Sequence, residues 1–225
     1  MIKKIVLIIF LTFVQKNIFA EIIYVSNEKD HNMSVIDGDS LEVIKTVKVG
    51  HRPRGIILSK DKKKIIICTS DDNRIAVVDV ASLEVEYYLP SGPDPELMVM
   101  DDAGKFIYVA NEDDNMVTVV DYIEKKIVKE IPVGVEPEGM GLSPDGKTLV
   151  NTSETTNMAH FIDTSTLEIK ANVLVDARPR VAQYTADGKF VWVSAEIGGT
   201  ISCLLYTSDA ADEGLGVDLG GRRII

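Results

Sequence analysis

The sequence predicts an all-β protein, a β-propeller of four-stranded blades, and three observations lead there. Asp37, Asp79, Asp121 and Asp163 stand 42 residues apart, each after an apolar pair: Val35-Ile36, Val77-Val78, Val119-Val120 and Phe161-Ile162. Pro53, Pro95, Pro137 and Pro179 keep that spacing, as do Lys63, Lys105, Lys147 and Lys189. Each unit holds four short β-type segments divided by turn residues, and none shows the apolar period of a helix. Four strands in a repeat of about 40–45 residues make one propeller blade. A β-helix needs shorter repeats, and leucine-rich repeats need a Leu/Asn ladder that is missing here.

Residues 1–20 read as a signal peptide. Lys3 and Lys4 precede Ile5 to Val14, ten residues broken only by Thr12, and small Ala20 suits the last position before cleavage. A membrane anchor needs about 20 apolar residues, twice this run. The expected location is therefore periplasmic or secreted, with no membrane attachment after cleavage.

Residues 21–202 are expected to form about 4.3 repeats of the propeller. Around the third unit the strands fall at Met116 to Val120, Lys126 to Val133, Glu138 to Leu142 and Thr148 to Asn151. Asn111 to Asn115, Asp121 to Lys125 and Ser143-Pro144-Asp145-Gly146 supply the turns. The first unit opens at Ile22 on a second strand, so its inner strand is expected from elsewhere. Residues 203–225 are expected to be non-native: Cys203 to Ser208 is what TGT CTC TTA TAC ACA TCT encodes, which resembles a sequencing-library adapter, and Asp209 to Glu213 and Val217 to Ile225 continue it. On that reading the chain is about three fifths of a seven-bladed ring.

Composition narrows the function. Asp and Glu number 35 against 24 Lys and Arg, a net charge of −11, whereas nucleic-acid binding needs a basic face. Setting Cys203 aside with the tail leaves Cys68 alone, so no internal disulfide is expected. No Gly-x-Ser-x-Gly elbow, His-Glu-x-x-His or phosphate loop is present.

Residues that obey the repeat serve the fold, whereas residues that change at a fixed repeat position are the functional candidates. The positions flanking each Pro read Arg52 and Arg54, Asp94 and Glu96, Glu136 and Glu138, Arg178 and Arg180. These charges are expected to rim the central channel. One reading makes them solvated loop charges that pair with neighbours, each pair contributing about 0–1 kcal/mol. The other makes them a charge-patterned funnel for an anionic or zwitterionic ligand or a partner protein. Glu28, Glu112, Glu154 and Glu196 share another position on the same face and, with Glu96 and Glu138, offer oxygen ligands for a divalent cation. Glu112, Glu154 and His160 are the metal candidates; His160, with Met158 two residues before it, carries donors that also suit copper or haem. Beyond that divalent cation no cofactor is predicted.

Tyr24-Val25-Ser26-Asn27 and Tyr108-Val109-Ala110-Asn111 resemble the YVTN repeat, with Ser143 to Lys147 as its turn and Val133-Gly134-x-x-Pro137 as its connecting segment. The pattern departs at Ile66, Thr69, Val150, Ser153, Trp192 and Ala195, and WD40 is disfavoured because Trp-Asp dipeptides are absent. Asn111 to Asn115, Val135 to Met140 and Asn151 to His160 resemble exported propellers associated with pyrroloquinoline-quinone-dependent alcohol catabolism. That resemblance implies a periplasmic accessory protein. With no enzyme signature present, the expectation is a non-catalytic protein, monomeric when complete, whose partner is a periplasmic protein or a small polar ligand. The alternative is a lactonase-like propeller hydrolase whose axial metal site is completed by further blades.

Overall fold

A computed structural model describes residues 21–205. They form five antiparallel sheets in chain order. The first holds β1 (Ile22–Asn27), β2 (Asn32–Asp37) and β3 (Val43–Lys48). The second holds β4 (Pro53–Leu58), β5 (Lys64–Thr69), β6 (Arg74–Asp79) and β7 (Val85–Pro90). The third holds β8 (Pro95–Met100), β9 (Phe106–Asn111), β10 (Met116–Asp121) and β11 (Lys126–Pro132). The fourth holds β12 (Pro137–Leu142), β13 (Thr148–Ser153), β14 (Met158–Asp163) and β15 (Glu168–Leu174). The fifth holds β16 (Pro179–Tyr184), β17 (Phe190–Ala195) and β18 (Thr200–Leu205). The predicted blade period is therefore the observed one, and Ser70–Asp72, a single 3₁₀ turn, is the helical element among the described residues.

The second, third and fourth sheets are buried on both faces, which explains their unbroken apolar runs, whereas the first and fifth each bury one face. Ile65 and Ile67 of β5 join Met33, Val35 and Val47 of the first sheet, whereas Ile66 and Cys68 turn to Met98, Ile107 and Val109 of the third. On β9, Ile107 and Val109 face the second sheet while Tyr108 and Ala110 face the fourth. On β13 the same division puts Leu149 in one core and Val150 in the next. Period-two alternation thus sends neighbouring residues into two different cores. Four cores join five sheets, one per adjacent pair.

The repeat residues have local jobs. The carboxylate of Asp79 accepts the N–H groups of Ala81 and Ser82 at 3.0 and 2.8 Å, closing the hairpin between β6 and β7. Asp37, Asp121 and Asp163 make the same pair of bonds. Just before each Asp the ladder shifts register, as between Val77 and Val78, and this bulge turns the chain toward the outer strand. At the inner edge, β4, β8, β12 and β16 follow one another round the axis. A Cβ on Gly139 would lie 2.4 Å from the Arg180 carbonyl oxygen, so glycine permits this approach of β12 to β16.

β18 runs through Cys203, Leu204 and Leu205, which pair with Trp192, Val191 and Phe190. Leu204 is buried in the core between the fourth and fifth sheets. The strand thus continues three residues past Ser202, because Leu204 falls on the inward side of the alternation. The rest of the tail and the proposed signal peptide lie outside the described residues. Among the described residues no strand pairing joins the first sheet to the fifth.

Candidate functional site

The residue before each inner-strand Pro is held in an uncommon backbone conformation. Arg52, Asp94, Glu136 and Arg178 have φ of 49°, 48°, 58° and 59°, in the left-handed region that costs a side-chain-bearing residue about 1–2 kcal/mol. Two hydrogen bonds fix each one. Its N–H is donated to the turn between the two middle blade strands of the preceding sheet (β1–β2, β5–β6, β9–β10 or β13–β14): Arg52 to His31 Nδ1 (2.9 Å), Asp94 to Asn73 Oδ1 (3.0 Å), Glu136 to Asn115 Oδ1 (3.2 Å), Arg178 to Asn157 Oδ1 (3.0 Å). Its carbonyl accepts the N–H of Ser70, Glu112, Glu154 or Glu196 in the turn of its own sheet. The glutamates that share a repeat position are thereby seated beside the residues that flank the prolines.

These side chains meet in one network, as the expectation of a common face requires. Arg52 contacts Glu28 (3.1 Å), Asp94 (2.7 Å) and Glu96 (3.1 Å), with Glu112 at 4.0 Å. Arg54 pairs with Glu96, Glu28 (3.3 Å) and Glu138 (3.0 Å). Arg178 pairs with Glu154 (2.7 Å) and Glu196 (3.4 Å). Arg180 pairs with Glu154, Glu138 (3.3 Å) and Glu196 (3.7 Å). Glu136 accepts a hydrogen bond from Thr155 Oγ1. The four arginines therefore pair with Glu28, Asp71, Asp94, Glu96, Glu112, Glu138, Glu154 and Glu196, a twofold excess of acid.

Of the two readings of these charges, the pairing with neighbours holds, and Glu28 and Glu196 are exposed to solvent, but the inner carboxylates are not solvated. Glu96, Glu138 and Glu154 are 0%, 5% and 3% exposed. Inner strands that approach closely leave little room for water between them. Burial, reinforced by the nearby Glu138 charge, pushes the Glu96 carboxyl up to about 9, and burial raises Glu138 as well. Glu28, more exposed, is held below its ordinary value chiefly by its hydrogen bond from Arg52. The arginines are committed to carboxylates, so they present no bare positive surface to an anion.

The metal candidates separate. Asp94, Glu96 and Glu112 bring carboxylate oxygens within 4.8 Å of one another, but the Arg52 guanidinium lies among them where a cation would sit. Glu154 is engaged by Arg178 and Arg180. His160 stands apart from both groups: its Nε2 accepts the Gly134 N–H at 3.0 Å and its Nδ1 bonds Asn172 Oδ1 at 2.6 Å. Both ring nitrogens are thus taken, and burial lowers its pKa, which keeps the ring neutral. His160 acts as a structural cap, against the expectation of a metal ligand. Cys68 lies in the core between the second and third sheets, its thiol raised by burial. The turn acceptors His31, Asn73, Asn115 and Asn157 escaped the sequence reading, although they too recur every 42 residues and Asn readily takes the left-handed conformation.

Residues 62–187 match the cytochrome D1 heme domain family. The chain belongs to this family. No curated protein matches it. Among solved structures it is similar to hydrazine synthase of Kuenenia stuttgartiensis, with a TM-score of 0.76 and 23% identity over 83% of this chain and 60% of that one. It is equally similar in fold to a candidate 6-phosphogluconolactonase of Bacteroides uniformis, with a TM-score of 0.76 and 16% identity over 89% of this chain and 67% of that one. At these identities the likeness is one of fold. The family member described here spans 60% of the length of the hydrazine synthase chain. Among its described residues no helix is long and apolar enough to cross a membrane.

Proposed function

We propose that this protein is an exported binding propeller whose channel mouth recognises a cationic or zwitterionic group, on a small polar ligand or on a partner protein. The observation that supports the reading is the network itself. Its charges include the residues that vary at the positions flanking each Pro, they converge on one face, and acid outnumbers Arg two to one. Such a mouth attracts positive charge and resists bare anions. The resemblance to exported propellers of quinone-dependent alcohol catabolism supports a partner in periplasmic alcohol oxidation.

The family's name carries a haem, and the donors at this mouth do not fit one. A haem iron takes an axial His, Cys, Met or Tyr, and the network offers carboxylates and paired guanidiniums. His160 has no free nitrogen, and an acid excess opposes the haem's own carboxylates. A second reading, the metal-dependent hydrolase, draws on the convergence of Asp94, Glu96 and Glu112; it requires a cation to displace the Arg52 guanidinium.

Deletion of the gene in its source strain tests the proposal. The mutant should grow poorly on short-chain alcohols as sole carbon source and normally on succinate, and the wild-type gene should restore growth where a Glu112→Gln/Glu136→Gln gene does not. Normal growth of the deletion strain on alcohols would refute the role. Metal-dependent lactone hydrolysis by the purified protein would favour the second reading instead.

A further inference from the structure

The third sheet carries three buried oxygens that find no hydrogen-bond partner. They are Asn111 Oδ1, Asp114 Oδ1 and Thr118 Oγ1, and the Asn111 and Thr118 side chains are fully buried. Buried groups left unsatisfied in this way are costly to a fold and uncommon. The register places them together. Asn111 of β9 lies opposite Met116 of β10, and Thr118, two residues on, lies opposite Val109, so Asn111 and Thr118 share one face of the sheet. Asp114 joins them from the turn between β9 and β10. Asn111 Oδ1 and Asp114 Oδ2 lie 3.1 and 2.9 Å from the same point, the position that a Cβ on Gly92 would take.

In the other sheets most of the equivalent groups are satisfied internally, Thr156 Oγ1 of the fourth sheet being an exception. In the first sheet Asn27 Nδ2 donates to Ser34 Oγ at 2.8 Å. In the second, Asp72 stands where the third has Asp114, and it accepts from the His51 N–H and bonds His51 Nδ1 at 2.9 and 2.8 Å. In the fourth, the His160 ring takes the place of Thr118 and bonds both Gly134 and Asn172. In the third sheet Asn111 Nδ2 turns to Ser91 Oγ at 2.9 Å, and nothing fills the remainder. The charges that act on Asp114 from nearby are those of Glu130 and Asp113, both negative; burial first, then these charges, push its carboxyl up. A partly buried carboxylate without a cation, beside two orphaned neutral oxygens, is an incomplete site.

We propose that the third sheet binds a hard divalent cation, of the calcium class, through Asn111 Oδ1, the Asp114 carboxylate and Thr118 Oγ1. Calcium takes oxygen ligands at about 2.3–2.6 Å and accepts amide and hydroxyl oxygens alongside carboxylates. This site shares the turn between β9 and β10 with Glu112 of the channel mouth, but it uses other side chains and does not depend on the function proposed for the mouth.

Calcium titration of the full chain, followed by calorimetry and by thermal unfolding, tests the proposal. Saturating calcium should raise the Tm by about 5–10 °C. Asp114→Asn, which keeps the shape of the side chain, should lose most of that rise. Thr118→His combined with Glu130→Asn imports the pair that fills the fourth sheet; it should unfold at or above the calcium-free wild-type Tm and no longer respond to calcium. Absence of a calcium-dependent rise in the wild-type chain would overturn the proposal. So would a rise that survives in both variants, which would place the ion elsewhere.

Discussion

Arg54 on β4 reaches Glu138 on β12 at 3.0 Å, passing over the whole third sheet to do so. Glu138 also receives Arg180 from β16 at 3.3 Å, so one carboxylate ties together arginines from the second and fifth sheets. Adjacent sheets are joined by apolar cores, but this contact joins sheets that share none. It makes the mouth a closed array of side chains, with Glu96 and Glu138 competing for the same guanidiniums.

Loss of one arginine should therefore cost far more than an exposed pair would. Arg54→Ala leaves Glu96 and Glu138 buried with a partner removed, and it should destabilise the fold by about 3–5 kcal/mol in urea unfolding. Adding Glu138→Gln should recover part of the loss. An effect of Arg54→Ala within the range of exposed pairs, about 0–1 kcal/mol, would contradict the burial of the network.

Stability should depend on pH through Glu96. Its folded pKa is raised to about 9, against about 4.3 for an unfolded Glu, so between those values the folded state holds a proton that the unfolded state has released. Stability then declines as pH rises through that window. The urea midpoint should fall from pH 5 to pH 9, and Glu96→Gln should flatten the decline. Glu138, raised in the same direction by burial, should leave a smaller residual slope of the same sign.

Two glycines should separate close approach from backbone conformation. Gly139→Ala brings its Cβ to 2.4 Å from the Arg180 carbonyl oxygen, and β12 and β16 must move apart, a cost of about 3 kcal/mol. Gly146 has open space around it but φ of 72°, so Gly146→Ala should cost about 1 kcal/mol of conformational strain. Thermal unfolding of the two variants side by side gives the order.

The turn acceptors should tolerate exchange for one another and not truncation. His31→Asn restores the residue found at the equivalent place in three other sheets and should leave the Tm nearly unchanged. Asn115→Ala strips the Glu136 N–H of its acceptor and should cost about 1–3 kcal/mol. Equal effects from the two substitutions would deny the shared role.

The fold was legible because a blade touches only its two neighbours, so the same residues must recur wherever the same contact recurs. Asp79 and Pro95 announce a hairpin and an inner strand by spacing alone. The positions of the site residues could be read in the same way, but their pairing could not. That Arg54 passes Glu96 to reach Glu138 depends on how far side chains extend across the axis, which no local pattern encodes. Burial of Glu96 was hidden for a similar reason: a charged residue in a loop-flanking position ordinarily faces water. His160 misled because its hydrogen-bond partners, Gly134 and Asn172, lie on other strands.

The backbone clamp on Arg52, Asp94, Glu136 and Arg178 bears on how the protein can change over evolutionary time. Each of these residues is positioned by its own amide and carbonyl, through a partner turn on either side, and its side chain takes no part in that fixing. The clamp accepts Arg, Asp and Glu without altering its geometry. Each loop is thus a socket, in which a mutation rewrites the chemistry of the mouth one sector at a time while the architecture beneath it is inherited intact.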